Sequence, residues 1–562
     1  MRAVARVEQI HGEKYGLAPD WKTIRERNPR KGAQSELRKG DRRVLSKLYC
    51  APGRLSIWAL ILLAATGCTS GKHDAANDLT LAIATSPTSL DPRLATDTVS
   101  GRLLRLTHRG LVRLDERLRP TPDLAVWEEI TPLYYRFHLR PGITFHDGRP
   151  LTAHDVVATY ESLLDPALAS PHRGLMEPVA SVAAIDAATC DFLLERPHAP
   201  FVASLTLGIV PRGWDTTRPP PGTGPFRLID WRPDQWLRLA RFADYAEGPV
   251  ALPGLTVRVL PDATVRALEL ERGGVDLVIN DLPVDTLPRL AALPHLRLVT
   301  SPSTNFFYLG LNVQDPLLHD VRVRRAIACA IDPGPIIEYL LRGQAVPATG
   351  LLPPDHWAYH RPAALPSFDP DHARRLLAEV RGVGAPPLKL EYKTSTDETA
   401  RLVAQVIAHQ LAQVGIDVSL RSYEWGTFYG DIKAGRFQLY CLTWTGVVEP
   451  DLYHYLFHSH STPPEGANRN RYADPEMDAA LEAARATDDP ERRRGYYATV
   501  QDLAARDLPY IPLWHPSHYA VVNQRIEGFR LTPNIDFADF ANVRLRDSPR
   551  EGEPLMDTDR HR

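Results

Sequence analysis

His454, His458 and His460 lie close together in the chain, and a helix would set His454 and His458 on one face at a spacing that suits two metal ligands. The chain carries 20 histidines, and the neighbouring Tyr455 and Phe457 suit a packed core, so core packing is the expected role and no metal site is expected. Five cysteines include Cys50 and Cys68 near the N-terminus, leaving Cys190, Cys329 and Cys441 with no CxxC spacing. That odd set implies no disulfide framework, and Cys441 reads as a small buried residue rather than a nucleophile. Gly222-Thr-Gly-Pro225 has the look of a phosphate loop, yet no Lys-Ser/Thr follows and Pro225 lacks an amide hydrogen, so it reads as a turn. Phe145-His-Asp-Gly148 is likewise a turn, with His146 and Asp147 as turn formers. The motifs GxSxG, HExxH and the Walker loop are absent. The chain therefore reads as a non-enzyme with no cofactor.

The apolar run Leu55 to Ala65, ending at Thr66-Gly67-Cys68, carries chemistry of another kind. Basic residues Arg42, Arg43, Lys47 and Arg54 precede it, and it falls short of the roughly 20 residues a membrane span needs. The pattern resembles a bacterial lipoprotein signal, in which the cysteine takes the lipid, although Ala65 stands where leucine is usual. The resemblance implies lipidation at Cys68, with residues 1–54 as an N-terminal extension and signal n-region, 55–68 as signal core and lipobox, and 69–78 as a tether. Cleavage nearby without lipidation would give a secreted soluble form instead. Arg42-Arg43 fits a plain basic n-region better than a twin-arginine signal.

A formal charge of −2 on 562 residues, with both signs scattered, offers no basic field for nucleic acid. The length past the signal exceeds what one core supports, so several packed units are expected.

Those units should be α/β. Leu79-Thr-Leu-Ala-Ile-Ala84 reads as a compact strand ending in a turn-rich stretch to Pro92. Tyr135, Phe137 and Leu139 alternate with Arg136, His138 and Arg140, the period of a strand with one buried face. Thr152 and Asp155 make a capping box, after which Val156, Val157, Tyr160, Leu163 and Leu164 keep helical spacing. Asp262 caps a helix through Val265 and Leu268 that stops at Gly273-Gly274, and Val275 to Ile279 reads as a buried strand. The same grammar recurs with strand residues Leu388, Leu390 and Tyr392, helix residues Leu402, Val406, Ile407 and Leu411, a stop at Gly415, and strand residues Ile416, Val418 and Leu420. Units of this kind favour parallel pairing. Residues 546–562 read as a charged tail.

The stretch from Tyr134 to Glu161, with Phe145-His-Asp-Gly148 inside it, resembles the signature of the family 5 extracellular solute-binding proteins, the dipeptide, oligopeptide and nickel receptors of ABC importers. Further matches follow in the family's order: Ser89-Leu-Asp-Pro92, Gly222-Thr-Gly-Pro-Phe226, Gly274-Val-Asp-Leu277, Phe307 to Asn312, Asp320 to Ile327, Asn470 to Pro475 and Leu508 to Trp514. The resemblance covers roughly residues 78–545. It implies a periplasmic binding protein-like α/β fold of the cluster C type, with two lobes, hinge strands and an additional small domain. Lobe I would comprise 78–108, 208–300 and 518–545, the small domain 109–207, and lobe II 301–517. It implies capture of a peptide or peptide-like solute between the lobes, delivery to an inner-membrane permease, a monomer, and a periplasmic location with a lipid anchor. A sensory receptor or a peptide-processing enzyme on the same fold is the alternative.

Carried over residue by residue, the ligand would meet Ser86 and Thr88 after the first strand, Tyr308 at a crossing, Trp425 as a pocket wall, and Thr443, Trp444, Thr445, Gly446 and Val447 along an edge to which an extended peptide adds as a strand. The aspartate that anchors a peptide's amino terminus in better-known members falls at Val447. Two arginine positions of an oligopeptide receptor fall at Ile432 and Cys441. Glu449, Asp451 or Arg436 could restore charge or be solvated. An unpaired ion in an occluded cavity costs several kcal/mol. The expected ligand is therefore a less charged or apolar peptide-like molecule.

Overall fold

The computed structural model describes residues 78–546 apart from Asp488. Cys68, the signal core, all of the tether but Asp78, and the tail past Arg546 lie outside the described residues.

Strand Leu79–Ile83 begins the first lobe, and its nearly unbroken burial suits a central position with parallel neighbours on both sides. Gly254–Val259 pairs with it in parallel on one side and Leu277–Ile279 on the other. An antiparallel pair, Trp236–Arg241 and Phe226–Arg232, extends the sheet outward. Asp262 caps the Ala263–Glu271 helix by accepting the Val265 amide at 2.9 Å. The helix buries Ala267 and Leu270, while Val265 and Leu268 face solvent, so its apolar face is rotated from the one the expected positions imply. The following strand is shorter than its apolar run, because Asp276 turns its buried carboxylate to the Thr80 amide and to Arg525.

The small domain is a four-stranded antiparallel sheet in the order Ala125–Thr131, Tyr134–Leu139, Thr189–Leu194, Val179–Ala184. Tyr135 and Phe137 point into its core, and Arg136 on the other face pairs with Asp191 at 2.8 Å. The Ala153–Ser162 helix starts on the Thr152/Asp155 capping box.

In the second lobe Leu388–Ser395 and Ile416–Tyr423 pair in parallel, joined by the Glu398–Ala412 helix. Asp397 caps that helix through the Ala400 amide at 2.8 Å, and Gly415 turns the chain with a φ of 86°, which glycine adopts without a steric penalty. Phe306–Leu311 runs antiparallel to Leu439–Trp444.

The lobes share one long strand. Tyr510–Asn523 pairs through Tyr510 to Trp514 with Phe306–Leu311 and through Trp514 to Pro516 with Ala345–Pro347, all in lobe II. From Ser517 onward it pairs with Leu296–Pro302 and Leu277–Ile279 of lobe I. Ser303 to Asn305 make the second crossing, between Leu296–Pro302 and Phe306–Leu311. Two lobes joined by such strands, with a small domain attached to the first, form the periplasmic binding protein-like α/β architecture.

Candidate ligand-binding cleft

A cavity of about 560 Å³ opens beside these crossings. Lobe I lines it with Pro92, Ala95, Arg102, Arg105, Asn280 and Asp536, and His518 adds to this side from the shared strand. Across the gap stand Thr304 and Asn305 of the crossing and Thr445 and Gly446 of lobe II. A hollow of about 580 Å³ lies elsewhere, between lobe I and the small domain, around His108, His146 and Trp214. Only the first is bounded by both hinge-linked lobes, so it is the one that closure would seal.

Local hydrogen bonds hold the lobe I side. Asp97 caps the Thr98–Thr107 helix by accepting the Ser100 amide at 2.8 Å, and it also takes the amide and hydroxyl of Thr88. These donors hold the Asp97 carboxyl below its usual range against the opposing effect of burial. The cap fixes the helix that carries Arg102 and Arg105 to the cavity. Asn280, with a φ of 60°, occupies the left-handed region that asparagine tolerates, and its side chain accepts the Tyr519 amide at 2.9 Å. Its Nδ2 lies 2.8 Å from His518 Nδ1, while His518 Nε2 lies 3.1 Å from the Pro533 carbonyl. This is the pattern of a neutral imidazole protonated at Nε2, and burial pushes its pKa down to about 4.

Gly446 faces the gap from lobe II with a φ of 66° and donates its amide to Asn305 Oδ1 at 3.0 Å. Beyond Leu439 and Tyr440, which meet Leu388–Ser395, no strand among the described residues covers the second edge of Cys441–Trp444. That leaves backbone groups free for an added strand. Trp425, 52% exposed, opens a helix capped by Glu424 and stacks on Tyr429 with ring centroids 5.6 Å apart and planes 5° apart. Arg469 continues this wall, donating to the Tyr429 hydroxyl at 3.0 Å and lying 4.7 Å from the Trp444 centroid.

The remaining expected positions fall elsewhere. Ser86 accepts the Asp234 amide at 3.1 Å and Thr88 serves the Asp97 cap; neither lines the cavity. Tyr308 is fully buried, stacked on Tyr510 at 4.0 Å, because alternate residues of a central strand point into the lobe II interior. Val447 corrects the expectation in the same way: its side chain packs in the apolar cluster of Phe306, Tyr453 and Phe457, while its amide donates to the Thr304 carbonyl at 2.9 Å. The three charged groups expected to restore charge are instead paired within lobe II. Glu449 pairs with Arg493, Asp451 with Arg485 at 2.7 Å, and Arg436 with Asp431 at 2.6 Å. Cys441 is half-buried, with burial pushing its thiol up to about 12. His454 and His458 stack on each other at 4.3 Å, the first beside Arg485 and the second beside Glu482. Among the described residues no three His, Cys, Asp or Glu side chains are grouped to hold a metal. Arg102, Asn280, Asn305 and His518 belong to no motif and escaped the sequence reading.

A family model described as bacterial extracellular solute-binding proteins, family 5 Middle, matches residues 91–465. The chain belongs to this family. Curated relatives of this family 5 solute-binding protein include the probable di/tripeptide-binding protein 5 of Pseudomonas aeruginosa (strain UCBPP-PA14), 29% identical over 74% of this chain and 84% of the relative. The glutathione-binding protein GsiB of Salmonella typhi is 29% identical over 83% of this chain and 94% of its own. Among solved structures, HbpA2 from Haemophilus parasuis superposes with a TM-score of 0.77 at 26% identity, covering 84% of this chain and all of that one. The chain is thus the extracytoplasmic substrate-binding component of an ABC transporter, a family of binders rather than enzymes. No helix among the described residues is long and apolar enough to cross a membrane.

Proposed function

We propose that this protein captures a peptide-like solute in the cavity beside the crossing strands and hands it, unaltered, to an inner-membrane permease. The observation that carries this reading is a cavity walled by both lobes at the strand Tyr510–Asn523, where a small change in hinge angle would open or seal it. Thr445, Gly446 and the uncovered edge at Thr443 and Trp444 would meet the ligand backbone, and Trp425 would wall its side chains. Ser86 and Thr88 would act from the rim by holding the loop and helix cap in place. The permease recognises the closed form, so binding and transport are linked by population shift. Lipidation at Cys68 would keep the monomer at the membrane surface. The relatives' peptide and glutathione ligands point to the same solute class.

Thermal denaturation of purified protein against pools of di- and tripeptides, with small-angle scattering and mass analysis of the pools, tests this. A rise in Tm with compaction and intact peptide supports it. No stabilisation by any pool, or cleavage of the peptide, overturns it.

A further inference from the structure

Arg102 differs from the other charged groups lining the cavity. Arg105 is paired with Asp536 at 3.1 Å. His172 Nε2 bonds the Ala95 carbonyl at 2.7 Å, and both ring nitrogens of His518 are engaged. The Arg102 side chain makes no hydrogen bond and no ion pair with any described residue, although it is half-buried. The nearest influence of opposite sign is Asp281, which acts on Arg102 only beyond ion-pair range and accepts the Ala84 amide at 3.1 Å.

The facing residues that line the cavity, Thr304, Asn305, Thr445 and Gly446, carry no charge. Val447 is buried in the lobe II core, and Glu449 and Asp451 are each committed to an arginine. Among the residues that line the cavity, closure would remove water from around one guanidinium without an ion pair and from no carboxylate without one. A ligand ammonium sealed in that space would lack a counter-ion, whereas a ligand carboxylate could take the two parallel N–H groups of Arg102.

Building on the solute-binding reading, we infer that the ligand is a singly anionic, peptide-like molecule whose carboxylate pairs with Arg102 and whose other end carries no free ammonium. Arg102 is then the specificity-determining residue, selecting N-blocked over zwitterionic peptides. Charge-assisted, bidentate contacts of this kind set an expected discrimination of about ten- to a hundredfold in Kd.

The probes are three pools of the same tripeptide sequences: N-acetylated with a free carboxylate, free-amine with an amidated end, and unmodified. They are titrated by thermal shift and calorimetry into the full chain and into Arg102→Gln and Arg102→Lys, each variant first checked for an unchanged unliganded Tm. Expected is stabilisation of the wild type by the acetylated pool, a loss of about tenfold or more in Arg102→Gln, and partial recovery in Arg102→Lys. If the unmodified or amidated pool binds as well as the acetylated one, or if Arg102→Gln binds the acetylated pool like the wild type, the charge assignment falls while the receptor reading survives. If no pool binds, both fall. Should Arg102→Gln fail to keep its unliganded Tm, the wild-type ranking of the three pools decides alone.

Discussion

The guanidinium of Arg469 lies 4.7 Å from the ring centroid of Trp444, and no carboxylate among the described residues pairs with it. A nearly buried charge is held instead by aromatic faces and by the hydroxyls of Tyr429 at 3.0 Å and Tyr308 at 3.5 Å. This contact ties the Trp425 and Tyr429 wall to the edge strand, so the wall and the strand move as one unit.

Replacing that guanidinium tests the tie. Arg469→Met is expected to lower stability by about 2 kcal/mol, from lost cation–π contact and hydroxyls left without their donor. Urea denaturation measures the loss. Near-ultraviolet circular dichroism should change with it, as Trp444 and Tyr429 lose their fixed setting, and an unaltered spectrum would refute the coupling.

Asp97 offers a second test, because a helix cap here doubles as a site device. Asp97→Ala removes the acceptor of the Ser100 and Thr88 amides and is expected to cost about 1 kcal/mol. Since the same helix carries Arg102, affinity should fall together with Tm. A variant that loses stability but keeps full affinity would show that the cap does not position the site.

Asp276 joins three segments of lobe I. Its buried carboxylate accepts the Thr80 amide at 2.9 Å and two nitrogens of Arg525, at 2.8 and 2.6 Å, on the turn that follows the shared strand. Asp276→Ala should cost about 3 kcal/mol, because Arg525 loses its carboxylate partner and the Thr80 amide its side-chain acceptor. Thermal unfolding reads this, and Asp276→Asn should recover only part of the loss.

Acid should destabilise the protein before its carboxylates titrate. Burial pushes His146, His356 and His518 down to about 4 and His108 to about 3, against an unfolded value of about 6.5. Between about pH 6.5 and 4 the unfolded chain therefore binds protons that the native state refuses. Stability is full above about pH 6.5 and is lost as pH falls through that window. Denaturant titrations from pH 7.5 to 4.5 should show the decline, and His518→Gln should flatten its slope relative to wild type. A stability that is constant or rises over that interval would contradict the assignment.

Membrane retention checks the expected anchor. Cys68→Ser should move the protein from the membrane fraction to the soluble periplasmic fraction and abolish incorporation of labelled palmitate. Equal fractionation of both forms would exclude lipidation.

What the sequence determined alone was the chain's local grammar and its family. The Thr152 to Asp155 box, the Asp262 and Asp397 caps, the turn at Gly415 and the parallel pairing of Leu388–Ser395 with Ile416–Tyr423 rest on interactions within a few residues or within one strand–helix–strand unit. Residue type and spacing suffice for such contacts. Of the residues lining the candidate cleft, the sequence reading reached Thr445 and Gly446, which directly follow the strand ending at Trp444. Tertiary structure decided which face each position shows. Tyr308 and Val447 turn inward because other segments cover that side of their backbone, and pattern alone does not reveal which side will be covered. It likewise assembled the polar lining, since Asn280 and His518 meet across 238 residues of chain. The state of Arg102 follows from the same cause: a charge is free or paired according to what folding brings within about 4 Å of it, and its neighbours in sequence carry no record of that.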